Sequence, residues 1–159
     1  MKRESMINNF GGALVKPDPI TGGQSLFASK DYVQGETLTI FSIKAVHPEP
    51  SRYTIQKDEK QHIELKSSTL QFTDHSCLPN LFFDTQMMEV LCLQDIREGD
   101  KLTYFYPSTE WKMIEPFKCH CGYEDCIGLI RGAAYLPPEL IKKYRLTDFI
   151  LKKLYSCHH

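Results

Sequence analysis

Two short stretches of the chain concentrate side chains that bind metals. Residues 74–80 read DHSCLPN and place a histidine and a thiol beside a proline, while residues 119–126 read CHCGYEDC. The second stretch supplies three thiols with the spacing C-x-C-G-x3-C, and its glycine lets the backbone fold closely around an ion. A structural zinc site needs four ligands in a tetrahedron, and the thiol of the first stretch is the natural fourth. The predicted zinc ligands are Cys77, Cys119, Cys121 and Cys126.

This prediction has two alternatives: a histidine could serve as a zinc ligand, or the thiols could bind no metal. His75 and His120 lie within the two stretches, but a residue between two clustered cysteine ligands usually points away from the ion. Three unrelated thiols without a metal are the remaining alternative. Cys92 lies in an apolar run and is most simply a buried core thiol, and Cys157 lies in the tail. A site closed by four thiolates leaves no position for water, so the predicted zinc holds a pocket together without taking part in chemistry.

A pair of tyrosines forms a second candidate site. Residues 104–106 read YFY, and the alternation of side chains along a strand places Tyr104 and Tyr106 on one face. Such a pair is more often a packed β surface than a catalytic device. The pair becomes informative through its neighbours in the sequence, because the histidine-thiol stretch precedes it, the thiol cluster follows it and a glycine turn lies near the start of the chain.

Short strands separated by turns must position these residues. Runs of β-branched, leucine and aromatic residues alternate with glycine and proline turns, which predicts a mainly β fold. After Pro137 and Pro138, apolar residues recur at roughly helical spacing with lysines between them, which predicts an amphipathic C-terminal helix. The predicted strands cover residues 13–15, 22–28 with its leading glycine turn, 37–41, 53–55, 62–65, 81–83, 88–93 and 101–106.

Composition and charge exclude several classes of function. The chain has 159 residues, which suits one domain, and its 19 basic and 20 acidic residues give a net charge of −1. We therefore expect no direct binding of nucleic acid, which needs a basic surface. No apolar run approaches the roughly 20 residues of a membrane helix, and no signal peptide opens the sequence. We expect an intracellular protein, nuclear or cytoplasmic, in which clustered cysteines bind metal and do not form disulfides.

Taken together, these motifs resemble those of the SET-domain protein lysine methyltransferases. Residues 74–80 resemble their N-H-S-C-x-P-N signature, and residues 99–106, GDKLTYFY, resemble their G-E-E-L-T-F/Y-D-Y strand. Residues 119–126 resemble their post-SET C-x-C-x4-C, and residues 23–28, GQSLFA, are similar to the G-x-G-L-F-A opening. The order and spacing of the motifs also agree. The resemblance runs from about residue 12 to residue 136.

The resemblance implies a fold and a division of the chain. The implied fold is a mainly β, β-clip-like SET domain of short strands, with a pseudoknot in which the C-terminal segment threads under a loop, followed by a C-terminal helix. The implied parts are an N-terminal extension (1–11), a SET domain (12–112), a post-SET zinc-binding segment (113–136) and a C-terminal helical extension (137–159).

The resemblance also implies an activity, that of a protein lysine N-methyltransferase that uses S-adenosyl-L-methionine. A neutral lysine amine attacks the sulfonium methyl in line, so the protein mainly desolvates and aligns the amine. By the family match, the hydroxyl of Tyr106 lies beside the transferring methyl, Tyr104 governs how many methyl groups fit, and Tyr53 is a candidate channel wall. A tyrosine at the position of Tyr104 is expected to favour lower methylation states.

Family matches also suggest which residues contact the cofactor, the zinc and the substrate. In the family, the signature cysteine joins the three post-SET cysteines on one zinc, in agreement with the ligands predicted above. His75 is assigned to the cofactor, with a satisfied core histidine as the alternative. The implied substrate is a lysine of a protein or peptide, and histone or other basic tails are candidates. The predicted cofactor-binding residues are Gly23, Gln24, Ser25, Leu26, Asp74, His75, Tyr106 and Leu129.

Three residues depart from the family pattern. Asp74 replaces an asparagine, Ser25 replaces the second glycine of the opening motif, and Phe105 replaces an aspartate. An ionised aspartate only accepts hydrogen bonds, although its charge can attract a cationic sulfonium. A serine restricts the backbone that approaches the cofactor. Asp74 and Ser25 favour the alternative hypothesis, a catalytically weak SET-like module that binds a peptide or a partner.

Overall fold

Short strands make up most of the computed structural model, which describes residues 12–157. The predicted N-terminal extension (1–11) lies outside these residues. Two helices follow the strands: α1 (Pro138–Lys143) and α2 (Asp148–Cys157). No helix in this described range is long and apolar enough to cross a membrane. The strands are β1 (Ala13–Pro17), β2 (Gln24–Ala28), β3 (Thr37–Ile40), β4 (Ile43–His47), β5 (Thr54–Asp58), β6 (Gln61–Leu65), β7 (Asp74–His75), β8 (Leu81–Asp84), β9 (Glu89–Cys92), β10 (Thr103–Tyr104), β11 (Phe117–Lys118) and β12 (Leu129–Ile130).

A five-stranded sheet with the order β3-β9-β8-β10-β7 forms the centre of the fold. Strand β10 lies between β7 and β8 and runs parallel to both of them. Residues 76–80 connect β7 to β8, so this connection must cross the path of β10. The crossing is the predicted pseudoknot, and it brings residues that are far apart in the sequence into one sheet. Thr103 pairs with Asp74, and Tyr104 pairs with His75.

The remaining sheets pack around this centre. Strands β1 and β2 form an antiparallel pair, and a second sheet has the order β4-β6-β5. The backbone of β2 is tied to the segment before β10, because the Leu102 N–H donates to the Leu26 carbonyl at 2.8 Å. Apolar side chains from these strands and from the five-stranded sheet form the main core. Its largest fully buried members are Leu26, Ile63, Leu81, Phe83, Val90, Ile96 and Leu102.

The strand predicted over residues 101–106 is shorter in the structure. Only Thr103 and Tyr104 pair as β10, and a 3-10 turn begins at Tyr106. Pro107 explains the end of the strand, because proline has no N–H for the sheet and its fixed φ suits the first positions of a helical turn. The turn is closed by the Ser108 N–H, which donates to the Phe105 carbonyl at 2.8 Å.

The predicted C-terminal helix is present but divided in two. Tyr144 ends α1 in an extended conformation, with φ −103° and ψ 148°. Thr147 then starts α2, because its backbone N–H donates to Ser108 at 3.0 Å and its hydroxyl accepts the Ile150 N–H at 3.4 Å. Both helices cover the segment after β10. Their apolar faces form a second core with Phe105, Ala133, Tyr144, Leu146, Ile150 and Leu154.

Candidate active site and metal centre

Four cysteine thiols meet on the side of the knot where β7 ends. Their sulfur atoms all lie within 4.8 Å of one another, and the four residues are Cys77, Cys119, Cys121 and Cys126. The Cys77 Sγ is 3.9 Å from both the Cys119 Sγ and the Cys126 Sγ. A tetrahedron with zinc–sulfur bonds of about 2.3 Å requires sulfur–sulfur separations of about 3.8 Å. The four thiols therefore fit a zinc ion, and they are the four that the sequence predicted.

Local backbone structure holds the thiols in this arrangement. The Cys119 N–H donates to the Gly128 carbonyl at 2.7 Å, and Gly122 has a φ of +82°, which favours glycine. Cys77 is held from the other side, because the hydroxyl of Tyr144 donates to its carbonyl at 2.5 Å. Burial raises the pKa of the Cys77 thiol to about 11, so a bound zinc ion would have to stabilise the thiolate that it requires as a ligand.

The competing ligands do not join the thiol cluster. His120 is exposed, as expected for a residue between two ligand cysteines. Cys92 is 2% exposed and packs in the main core, in agreement with a structural thiol. His75 contacts the cluster only at its edge, with its Nε2 3.5 Å from the Cys77 Sγ.

A pocket of about 670 Å³ opens beside the two predicted tyrosines. Its inner wall is largely aromatic, and the mouth is lined by charged side chains from β4, β6 and the segments around them. Of the predicted site residues, Tyr53, Asp74, Tyr104 and Tyr106 line this pocket. Tyr53 is 57% exposed, which places it at the mouth.

Tyr106 and Tyr104 form the aromatic floor of the pocket. Their ring centroids are 4.8 Å apart, and the ring of Phe83 lies 4.5 Å from that of Tyr104. The hydroxyl of Tyr106 donates to the Thr73 carbonyl at 2.9 Å. Burial raises the pKa of both tyrosines well above the usual value, so both hydroxyls are neutral at physiological pH. The pair can align a substrate but cannot act as a base.

His75 fixes the position of Tyr106 through a hydrogen bond and a ring contact. Its Nδ1 accepts the Tyr106 backbone N–H at 3.1 Å, and its ring packs against Phe105, Tyr106 and Phe117 with centroid separations of 5.3–5.6 Å. Burial lowers the pKa of His75 to about 4, so the ring is neutral. These contacts are those of the satisfied core histidine that the sequence left as an alternative. Contact between His75 and the cofactor stays a prediction.

The other predicted cofactor residues lie outside this aromatic pocket. Gly23 and Gln24 lie where the chain enters β2, and Leu26 is fully buried in the main core. Leu129 belongs to β12, beside the metal centre, and is 54% exposed. Their contacts with a cofactor remain predictions.

Two of the family departures are bonded to each other. The Ser25 hydroxyl donates to the Asp74 Oδ2 at 2.6 Å and lies 3.1 Å from the Asp18 Oδ2. The Lys101 Nζ donates to both carboxylates, at 2.6 Å to Asp18 and 3.0 Å to Asp74. The sequence did not single out Asp18 or Lys101, which lie 83 positions apart. Asp74 and Ser25 are therefore two members of one polar network and not separate deviations.

We expect Lys101→Met to lower the melting temperature by about 4 °C at pH 7. Without the ammonium, two carboxylates face each other across Ser25. The hydrogen bond with Lys101 is the main cause that lowers the pKa of Asp18, and a lowered carboxyl pKa stabilises the fold above about pH 4. The difference in melting temperature between Lys101→Met and the unmodified protein should therefore shrink as the pH falls below about 4. Calorimetric melting of both proteins from pH 3 to 8 measures this difference.

The matched control for this prediction is Lys60→Met. Lys60 is exposed in the turn between β5 and β6, so its replacement should leave the melting temperature unchanged at every pH. Equal melting temperatures for Lys101→Met and the unmodified protein at pH 7 would show that the network does not stabilise the fold.

Glu110 lines the same pocket and lies outside the predicted site. Glu110 is 8% exposed. In the sequence it is a single acidic residue between Thr109 and Trp111, a pattern that does not indicate a functional role. No spacing rule assigns such a residue to a pocket that forms only after β10 enters the central sheet.

Comparisons with known proteins agree with this fold. A family model described as SET domain matches residues 23–107. The methyltransferase flvH of Aspergillus flavus is 39% identical over 105 residues, which cover 65% of this chain and 58% of that protein. An H3 lysine-36-specific histone-lysine N-methyltransferase of Schizosaccharomyces pombe is 33% identical over 85 residues, which cover 49% of this chain and 10% of that protein.

A solved structure shows the same fold. A crystal structure of KRYPTONITE in complex with mCHG DNA and SAH superposes with a TM-score of 0.57 at 19% identity, and the match covers 72% of this chain and 28% of that one. The predicted fold class is thereby confirmed. The chain spans less than two thirds of the length of each of these proteins.

Proposed function

The chain belongs to the SET-domain family, and from that premise we propose that it is an S-adenosyl-L-methionine-dependent protein lysine N-methyltransferase. The observation that carries the proposal is the tyrosine pair at the floor of the pocket, where Tyr106 is fixed through both its backbone and its hydroxyl. A rigid aromatic floor suits a reaction in which the protein aligns and desolvates an amine.

The residues at the pocket fit a cationic cofactor. When bound, S-adenosyl-L-methionine supplies an electrophilic methyl group on a positively charged sulfur. The carboxylate of Asp74 is 34% exposed at the pocket and offers a negative charge to such a group. We assign Gly23, Gln24, Ser25 and Leu26 to the cofactor through the Ser25–Asp74 hydrogen bond, which joins β2 to the pocket wall. His75 and Leu129 keep their assignment from the family match.

The two tyrosines have separate proposed tasks. The hydroxyl of Tyr106, neutral and directed at the Thr73 carbonyl, marks the place where the amine is aligned. Tyr104 is 8% exposed and limits the space beside it, which supports transfer of few methyl groups. Tyr53 forms the outer wall, where a substrate side chain enters.

We assign a structural role to the zinc. Four thiols leave no position for water, so the ion would join the proposed SET domain (12–112) to the proposed post-SET segment (113–136). Phe117 of that segment packs 5.9 Å from Tyr106, between ring centroids, so the metal centre supports the pocket wall. Tyr144, from the proposed C-terminal extension (137–159), donates its hydroxyl hydrogen bond to the Cys77 carbonyl.

The proposed substrate is a lysine of a protein or peptide, and histone tails are the first candidates. The support is that several relatives, including the Schizosaccharomyces pombe protein, are named as histone-lysine N-methyltransferases. Further support comes from a KRYPTONITE complex that contains an H3(1-15) peptide, with a TM-score of 0.50. A histone substrate would place the protein in the nucleus.

One observation favours the second candidate function, a SET-like module that binds a peptide with weak catalysis. The Lys101 ammonium lies 3.0 Å from Asp74 and offsets the charge that would attract the sulfonium. In this alternative the polar network replaces part of the cofactor site.

Incubation of the purified protein with methyl-labelled cofactor and core histones or a cell lysate tests the proposal. We expect label on lysine side chains, and heat on titration with the cofactor in a calorimeter. If no labelled product forms and no cofactor binds, the enzyme proposal is excluded. Peptide binding under those conditions would support the binding module instead.

A further inference from the structure

We propose that Glu110 is the amine-binding carboxylate of the pocket. Its Oε1 would bind the ammonium group of an incoming lysine side chain and accept one proton from it. The proton leaves nitrogen for oxygen, the carboxylate becomes a carboxylic acid, and the amine gains the free electron pair that methyl transfer needs. This inference rests on the proposed function and adds to it the group that selects and prepares a lysine.

The Glu110 carboxylate is buried, and only one of its two oxygens is held by hydrogen-bond donors. It is 8% exposed, and two donors hold one of its oxygens: the Gln56 N–H at 3.0 Å and the Thr109 hydroxyl at 2.8 Å. Both donors bond to Oε2. The other oxygen, Oε1, is therefore the one available to a ligand in the pocket that Glu110 lines.

Backbone contacts fix the position of this carboxylate. The Glu110 carbonyl accepts the Ala133 N–H at 2.9 Å, and the next residue, Trp111, donates its N–H to the Gln56 side chain at 2.9 Å. Gly132 permits the close approach of the two segments, because a Cβ at that position would lie 2.5 Å from the Trp111 carbonyl oxygen. Hydrogen bonds to β5 and to the segment before α1 therefore fix the position of Glu110.

Glu110 lies next to the tyrosine pair. The Thr109 hydroxyl that bonds to Oε2 also lies 3.4 Å from the Tyr106 carbonyl oxygen, and Glu110, Tyr104 and Tyr106 line the same pocket. An amine between the tyrosine floor and Oε1 would therefore be aligned and paired by neighbouring groups. Burial raises the pKa of Glu110 to about 7, and an ammonium partner would compensate for that burial.

The other titratable groups near the tyrosines are already engaged. The Tyr106 hydroxyl donates to Thr73, the His75 Nδ1 holds the Tyr106 N–H, and Asp74 is paired with Lys101. Glu110 is therefore the group best placed to take a proton from the amine. The charged residues that line the rest of the pocket are Lys44, Arg52, Glu64, Lys66, Asp74 and Glu115.

Binding of n-butylamine, a mimic of the lysine side chain, tests the inference without any methyl transfer. At pH 8 we expect Glu110→Gln to weaken n-butylamine binding by about 10-fold, measured by NMR titration, because a charge-assisted hydrogen bond is lost. Binding of 1-butanol, which carries no charge, should not change. Glu98→Gln, at an exposed position outside the residues that line the pocket, is the matched control and should bind both probes as the unmodified protein does. Equal affinity of Glu110→Gln and the unmodified protein for n-butylamine would overturn the inference.

The pH dependence of methyl transfer gives a second readout. Glu110 accepts a proton only when ionised, so kcat/KM should rise through about pH 7 in the unmodified protein, and in Glu110→Gln the midpoint should move toward the lysine pKa of about 10.4. The same midpoint in both proteins would contradict the proposed proton transfer. If the unmodified protein transfers no methyl group, the proposed function fails, and the n-butylamine titration still decides whether Glu110 binds amines.

Discussion

Tyr106→Phe is expected to lower the rate of methyl transfer by about 100-fold, because it removes one positioned hydroxyl from the floor of the pocket. The phenylalanine ring keeps the contacts with Tyr104 and His75, whose centroids lie 4.8 Å and 5.3 Å from that of Tyr106. Only the hydrogen bond to the Thr73 carbonyl is lost. Single-turnover measurement of label transfer separates this loss from changes in substrate binding.

A second tyrosine provides the control for this experiment. Tyr155 on α2 is 65% exposed, and Tyr155→Phe should retain both activity and melting temperature. The Tyr106→Phe protein should melt only a few degrees lower than the unmodified protein, since its core contacts are kept and one hydrogen bond is lost. Unchanged turnover in Tyr106→Phe, with the cofactor still bound, would mean that the hydroxyl has another role.

The metal centre was predictable because its signal is local. Three of the four thiols lie within eight residues, and zinc chemistry fixes the number of ligands, so only one partner had to be found elsewhere. The structure brings Cys77, and neither His75 nor His120, into the group of four residues that could hold a metal ion. The histidine near it was harder to place, because a hydrogen bond from the Tyr106 backbone depends on how β10 enters the sheet.

The fold class was predictable, whereas the ends of its elements were not. Alternating short apolar runs indicated the strands, and the family motifs indicated the knot. The break between α1 and α2 depends on Thr147, which bonds to Ser108 in a distant part of the chain. Helical periodicity continues across this break, so the pattern alone predicted one helix.

The polar network and the role of Glu110 could not be predicted from the sequence, because both depend on contacts between distant parts of the chain. Ser25 and Asp74 look like two independent departures from the family pattern, and no spacing rule indicates that one hydrogen bond joins them across 49 positions. Lys101, which balances their charge, belongs to the motif before β10 and was interpreted only as part of it. Such groups become visible once the knot brings the start, middle and end of the chain together.

Cys77→Ser is expected to weaken zinc binding by more than about 100-fold, since even the loss of outer partners of a metal ligand costs 10–100-fold. Cys77 is the one ligand of the described cluster that lies before residue 113, so its loss should also weaken the link between β7 and the proposed post-SET segment (113–136). Competition with a chromophoric chelator measures the affinity. Cys92→Ser, at a buried thiol outside the cluster, should bind zinc as the unmodified protein does.

The same substitution should lower methyl transfer, although a zinc ion held by four thiolates would have no position left for substrate. Phe117 lies between the metal cluster and the pocket, with its ring 5.6 Å from His75 and 5.9 Å from Tyr106. Without the metal, β11 and β12 would lose their link to Cys77 at the end of β7, and the wall behind Tyr106 would loosen. Full metal affinity in Cys77→Ser would refute the four-thiolate site. Full activity after complete removal of zinc would instead show that the knot and the C-terminal helices hold the pocket without it.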